Sequence, residues 1–326
     1  PSTRQELSIQ QICNIIDQVV EAGCLSILFT GGEPFIRPDF LDIYIYAKKK
    51  GLLITLFSNG TTITPEVADC LARWRPFAIE ISLYGSTPDT VEKITGTPGS
   101  FQKCKNGIEL LIDRKLPLRL KSMIMTLNHH ELKDMKTYAR ELGVEFRFDP
   151  ILNLKLDGSK GPEAFRLSPR EVVALDLDDD KRIKNWHQYL DRFSGPPPHP
   201  QYLYQCGAGV TTFHIDAFGE LSPCLMSRNP SYDLLKGSFR DAWDRFILSQ
   251  RTRKWNAETP CKNCDIISLC GQCPGIAQLE NGNPELMVNY LCQIAHLRAT
   301  EFGFDKCTDG ENIEKRNRKE IIPTTI

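Results

Sequence analysis

Apolar positions in the first half of the chain switch repeatedly between two spacings. Ile9, Ile12, Cys13, Ile16, Val19 and Val20 recur at helical intervals behind a Ser8/Gln11 capping box, and Gly23 follows as a stop, which predicts an amphipathic helix. Leu25 to Thr30 is then a short apolar run of strand length. A helix from about Asp39 to Lys50 follows, then a strand over Leu53–Ser58, then a helix with Thr64 as N-cap and Pro65 at its first position. Further strands are predicted over Phe77 to Leu83, Leu118 to Thr126 and Glu145 to Ile151, with helical patterns near Phe101 to Arg114 and Glu131 to Leu142 between them. Strands separated by helices imply right-handed parallel βαβ units, hence an α/β fold built on a barrel or a doubly wound sheet.

Beyond these five strands the pattern changes. Ser168, Pro169 and Glu171 cap one more helix, and Ser194-Gly-Pro-Pro-Pro-His-Pro200 marks a boundary, because consecutive prolines continue neither helix nor sheet. The expected organisation is a first domain over residues 1–193, a linker 194–200, a cysteine-rich module 201–304 and a polar tail 305–326. With 326 residues, 41% of them hydrophobic, the chain can bury one large core and one small one. A net charge of −1 gives no basic excess for nucleic acid. The longest apolar runs have strand length, so neither a membrane span nor a signal peptide is read here, and a cytoplasmic location is expected.

Twelve cysteines in a reducing compartment point to metal rather than to disulfides. Cys206 is followed by twelve residues, Gly219, four residues and Cys224; Cys261, Cys264, Cys270 and Cys273 form a block, and Cys292 stands downstream. The two-residue gaps in Cys261-Lys-Asn-Cys264 and Cys270-Gly-Gln-Cys273 bring paired thiolates onto one metal centre, while Gly219 permits a tight turn at positive φ. The four-cysteine block alone also suits a zinc ribbon, a reading that leaves Cys206, Gly219, Cys224 and Cys292 without a role. Cys13, Cys24, Cys70 and Cys104 lie in apolar periodic segments and are expected to be small buried hydrophobes.

Parallel α/β folds place ligands at the carboxyl ends of their strands. Here those ends carry Gly31-Gly32-Glu33-Pro34, Ser58-Asn59-Gly60-Thr61 and Ser82-Leu83-Tyr84-Gly85. The glycines leave backbone open to close approach, the groups around Glu33 can accept hydrogen bonds from an amine, and Asn59 and Ser82 can hold a carboxylate or a ribose. Each motif alone is also an ordinary turn; their shared position is what makes them a candidate site.

These residues together resemble a known family. Gly31-Gly32-Glu33-Pro34 followed by Ser58-Asn59-Gly60 and Ser82 resembles the S-adenosylmethionine (SAM) site of radical SAM enzymes, and the cysteine array resembles their SPASM domain, so that the likeness covers nearly the whole chain up to about Phe304. The resemblance implies a partial (β/α)6 barrel with Gly31, Gly32, Glu33, Pro34, Ser58, Asn59 and Ser82 around SAM. It also implies two auxiliary 4Fe-4S clusters, the first on Cys206, Cys224 and Cys273 and the second on Cys261, Cys264, Cys270 and Cys292. In such enzymes a reduced cluster passes one electron to SAM, and the 5′-deoxyadenosyl radical released abstracts a hydrogen atom from the substrate. The implied partners are a peptide or protein substrate, which is oxidatively modified, and a reductant such as flavodoxin or ferredoxin. Haem or other cofactor biosynthesis is the alternative within the class, and iron-sulfur electron transfer without SAM chemistry is the alternative outside it.

Two departures bear on that likeness. The family holds its SAM cluster on a Cys-x3-Cys-x2-Cys loop ahead of the first long helix; no such triplet occurs here and the first barrel strand is missing with it, so the third cluster is expected from residues upstream of Pro1. A degenerate relative that keeps only auxiliary clusters is the alternative. The Cys270 to Cys273 gap is also two residues where the family has three, and with three cysteines assignable to the first auxiliary cluster, one of its irons is expected to be open or to take another ligand, His199 being a candidate by sequence proximity alone. His129-His130 and the acidic run from Asp176 to Arg182 are expected to be solvated, and Trp186 and Tyr189 to pack against substrate or barrel. No residue is an evident general acid, base or radical relay.

Overall fold

The computed structural model describes residues 4–193 and 200–303. Helix α1 (Ile9–Glu21) starts at the Ser8/Gln11 capping box and leads to strand β1 (Ser26–Phe29). The order α2 (Phe40–Lys49), β2 (Leu53–Ser58), α3 (Pro65–Arg73), β3 (Ala78–Ser82), α4 (Pro88–Thr95), α5 (Ser100–Asp113), β4 (Leu118–Met123), α6 (Leu132–Glu141) and β5 (Glu145–Asp149) follows. Next come α7 (Pro169–Leu177), α8 (Asp180–Phe193) and the short strands β6 (His214–Ile215), β7 (Glu220–Ser222) and β8 (Tyr232–Asp233). The last elements are α9 (Phe239–Asp241), which runs through a π-type segment Ala242–Ile247 into α10 (Leu248–Arg251), then α11 (Ile267–Cys270), α12 (Pro274–Asn281) and α13 (Asn289–Glu301). Among the described residues no helix is long and apolar enough to cross a membrane. The expected tail 305–326 and all of the expected linker except Pro200 lie outside the described residues.

Strands β1 to β5 form one parallel sheet in sequence order, so each crossover steps to the neighbouring position as the alternating pattern predicts. Strand β4 stops at Met123 rather than Thr126, because the Asn128 side chain takes over the backbone there: its Oδ1 accepts from Met125 N–H at 2.8 Å and its Nδ2 donates to the Met123 carbonyl at 3.0 Å. Helix α4 was not anticipated, although Thr87 caps it and Pro88 opens it; its eight residues are too few for the apolar period to declare itself.

The register gives the sheet two unlike faces. Ile54, Leu56, Ile79, Ile81 and Leu120 are essentially inaccessible, and they alternate with Thr55, Phe57, Glu80, Arg119 and Lys121 on the opposite face. A parallel sheet covered on both sides is apolar on both. One polar face therefore marks the side on which this sheet meets solvent or ligand.

Compact packing divides the chain into two units. The first holds residues up to Asn153, Lys160–Leu167 and Gly207–Arg251, and the second holds Leu154–Ser159, Ser168–Cys206 and the chain from Thr252 onward. In the first, the β6–β8 sheet and the α9 region lie on α1: Leu7, Ile15 and Val19 share one core with Leu221, Leu234 and Phe239, and Gln18 accepts from Phe239 N–H at 2.7 Å. Gly219, at φ +87°, turns the chain between β6 and β7, the positive φ that its place between Cys206 and Cys224 suggested. In the second, α7 and α11 pack on α13.

Candidate active site and iron-sulfur ligands

The tips of β1 and β2 are stitched together by one carboxylate. Glu33 is buried and opens the helical turn Pro34–Ile36 by accepting from Phe35 N–H at 3.3 Å. It also accepts the Ser58 hydroxyl, 3.0 Å from each oxygen, and Asn59 N–H at 2.7 Å. Ser58 Oγ in turn accepts from Gly60 N–H at 2.9 Å, and Asn59 Oδ1 accepts from the Thr61 N–H and hydroxyl at 2.8 and 2.7 Å. Glu33, Ser58 and Asn59 thus form one bonded turn, in which the Glu33 side chain holds both backbone and the Ser58 hydroxyl. The neighbouring glycines are open: a Cβ on Gly31 or Gly32 would meet nothing within 4 Å, and Gly31 sits at φ +147°. Ser58 lies opposite Ile81 in the ladder, which places Ser82 one step further along β3.

A second carboxylate, which sequence reasoning missed, does the same for β3 and β4. Glu131 is buried and accepts from Ser86 and Thr87 N–H and from the hydroxyls of Ser86, Thr87 and Thr90. Asn128 adds a bond from Nδ2 to the Tyr84 carbonyl at 2.9 Å. Burial opposes ionisation of Glu131, but the Thr90, Thr87 and Ser86 bonds outweigh it and hold the carboxyl down at about 2. A carboxylate depressed from its ordinary value near 4.5 stabilises the fold fully above that value and loses the contribution as pH falls toward 2. Glu131→Gln is expected to cost roughly 3 kcal/mol at neutral pH, read from the urea midpoint, with the gap to the unmodified protein closing below about pH 3.

The described cysteines form no disulfide. In the second unit Cys270 is buried, and its thiol is pushed up strongly, first by burial and then by the charges of Cys292, Cys261 and Cys264. Thiols from the loop before α11 and from α13 therefore lie within electrostatic reach of the Cys270 thiol on α11, as ligands of a shared polynuclear centre would. Among the described residues no three candidate ligands converge tightly enough for a single ion. A cluster spreads its thiolates over separate irons, so its ligands stand further apart. Of the other three expected ligands, Cys206 and Cys273 belong to the second unit and Cys224 to the first. Cys224 Sγ accepts from Met226 N–H at 3.2 Å.

Asp176 corrects the expectation of a wet acidic run. Asp178 and Asp180 are exposed, but Asp176 is wholly inaccessible and accepts from Arg182 Nε and Arg298 Nε, each at 2.9 Å. Arg298, itself buried, reaches the carbonyl of Leu269 at 3.4 Å and stands 4.2 Å over the Trp186 ring. This buried pair ties α7 to α13 and to the residue preceding Cys270, which positions two of the four thiols. Trp186 packs against this arginine; His129 and His130 are exposed as expected.

Residues 1–142 match the model of the radical SAM superfamily. An AdoMet-dependent heme synthase of Oleidesulfovibrio alaskensis is 31% identical over 290 residues, 82% of this chain and 74% of that one. The chain belongs to the radical SAM superfamily. The subtilosin biosynthesis protein AlbA of Bacillus subtilis is 28% identical over 84% of this chain and 62% of its own length. Among solved structures, anSMEcpe with bound AdoMet superposes with a TM-score of 0.66 at 16% identity over 98% of this chain and 93% of that chain, which shows a shared fold. Family membership makes this an enzyme that uses SAM and iron-sulfur chemistry.

Proposed function

We propose that the protein oxidatively modifies a peptide or protein substrate by radical SAM chemistry, for example by forming a crosslink in a ribosomal precursor. The observation that carries this reading is the Glu33 stitch, which sets the open Gly31-Gly32 backbone beside Ser58, Asn59 and Ser82 at the ends of three adjacent strands. The peptide class rests on relatives named for bacteriocin biosynthesis and, in Mycobacterium tuberculosis, for mycofactocin maturation. Bound SAM and its cluster supply a 5′-deoxyadenosyl radical. The chain's own part is to orient: Gly31 and Gly32 admit the methionine end, Glu33 holds the turn that presents Asn59, and Ser82 offers a hydroxyl from the third tip.

In this reading Cys261, Cys264, Cys270 and Cys292 hold one auxiliary cluster and Cys206, Cys224 and Cys273 another, in a cytoplasmic enzyme reduced by a flavodoxin or ferredoxin. A second reading, synthesis of haem or a related cofactor, is favoured by the 31% identical heme synthase. The test is to reconstitute the full-length protein anaerobically with all its clusters, reduce it with dithionite, and offer SAM with precursor peptides encoded beside its gene or with a propionate-bearing iron porphyrin. Formation of 5′-deoxyadenosine with a mass change in a peptide is expected. A mass change in the porphyrin alone favours the second reading, and absence of SAM cleavage with either sinks both.

A further inference from the structure

On the polar face of the sheet, Glu80 of β3 is surrounded by three cations. Arg147 donates both Nε–H, at 3.0 Å, and Nη2–H to its Oε2. Arg119 Nη1 lies 3.9 Å from Oε1, while Arg119 Nε lies 3.3 Å from Glu145. Asp149, further along β5 on the same face, turns its Oδ1 to Ile151 N–H. Lys121 is left over: its side chain is 17% exposed, its amine reaches no carboxylate nearer than Glu80 Oε2 at 4.0 Å, and it stands over the Phe57 ring, 2.8 Å from the centroid. An aromatic face attracts an ammonium but offers no lone pair to its three N–H donors. Burial, with Arg147 adding to it and Glu80 only partly opposing it, pushes the Lys121 amine down to about 7. A partly buried cation without an acceptor at hydrogen-bond distance is stabilised where a ligand supplies one.

Lys121 pairs in register with Ser82, so this group adjoins the third strand tip of the candidate site. We propose that Lys121 and Arg147, on the polar face beside Ser82, bind a carboxylate of the substrate. The incoming oxygens provide the acceptor that Lys121 lacks and offset the surplus positive charge, and Phe57 forms an apolar floor. The assignment rests on reading the protein as a SAM enzyme whose ligands occupy this face. A peptide's acidic side chain or C-terminus, or a tetrapyrrole propionate, would carry the same group.

The test reads Lys121 itself, without turnover. Lysines of the full chain are dimethylated with 13C-formaldehyde, which keeps their charge, and the Lys121 signal is assigned by its loss in Lys121→Gln. Glutarate is expected to shift this signal saturably and to raise its titration midpoint, whereas the neutral isostere glutaramide leaves it in place. Glutarate affinity is expected to fall as pH rises through about 7, as the amine loses its proton; Glu80, Arg119, Arg147 and Glu145 are the charged groups that face it. Arg147→Gln should weaken binding roughly tenfold or more. A free-acid peptide against its amide, and a porphyrin with propionates against its methyl ester, then identify the source. A Lys121 signal that ignores all these carboxylates, that answers the neutral partners equally, or that moves with SAM alone overturns the proposal. Carboxylate binding without SAM cleavage keeps this subsite and rejects the enzymatic reading, so the two fail separately.

Discussion

Cys261→Ala, or Cys264→Ala, is expected to remove about half of the iron that residues 1–326 take up on anaerobic reconstitution with iron and sulfide. Seven thiolates suffice for two cubanes, about eight irons, when one iron is left without a cysteine. The four thiols grouped around Cys270 account for about four of these. Cys270 is buried and coupled electrostatically to Cys261, Cys264 and Cys292, and as thiolates these groups would be stabilised by sharing their charge with metal. Loss of one ligand should also loosen α11 and α13, since metal binding and folding of a small ligand-rich region are linked. Cys70→Ala is the control: Cys70 is buried on α3 in the first unit, and its iron content should match the unmodified protein. Iron and sulfide analysis with visible absorption decides the matter. One or two equivalents of zinc, with no iron-sulfur absorption, would refute the assignment.

The legible parts of this fold were those where a local rule and the tertiary arrangement coincide. Ser8, Thr64 and Ser168 all cap as their spacing predicts, and the five strands fall where short apolar runs lie between amphipathic helices. The strand tips were found because their glycines and small polar residues depart from both periods. Glu131 and Asp176 were passed over because a single acid on a helix-rich stretch looks solvated until long-range partners bury it; Arg298 lies 122 residues from Asp176. Lys121 and Arg147 were hidden for a related reason. Within one strand they are merely the polar half of an alternation, and only the β3–β4–β5 register brings them around Glu80. The same limit applies to compact packing: the sequence places a boundary at the prolines, whereas Gly207–Arg251 shares a core with α1, a pairing of segments far apart in the chain.

Gly32→Val is expected to leave the fold intact and weaken SAM binding roughly ten- to hundredfold, the range that overpacking a closely fitted contact costs. A Cβ at Gly32 meets nothing within 4 Å of protein, so thermal unfolding should change little, and the loss can be assigned to the ligand. Gly31 is a poorer probe, because its φ of +147° strains any L side chain and mixes folding with binding. Glu33→Gln forms a contrast. The amide keeps one acceptor oxygen for Asn59 N–H but turns an N–H donor toward a turn built around a carboxylate, so unfolding and SAM binding should both shift. Equilibrium dialysis with labelled SAM, paired with thermal melts of each variant, separates these effects. Unchanged affinity in a well-folded Gly32→Val protein would mean that the methionine end of SAM lies elsewhere than at the β1 tip.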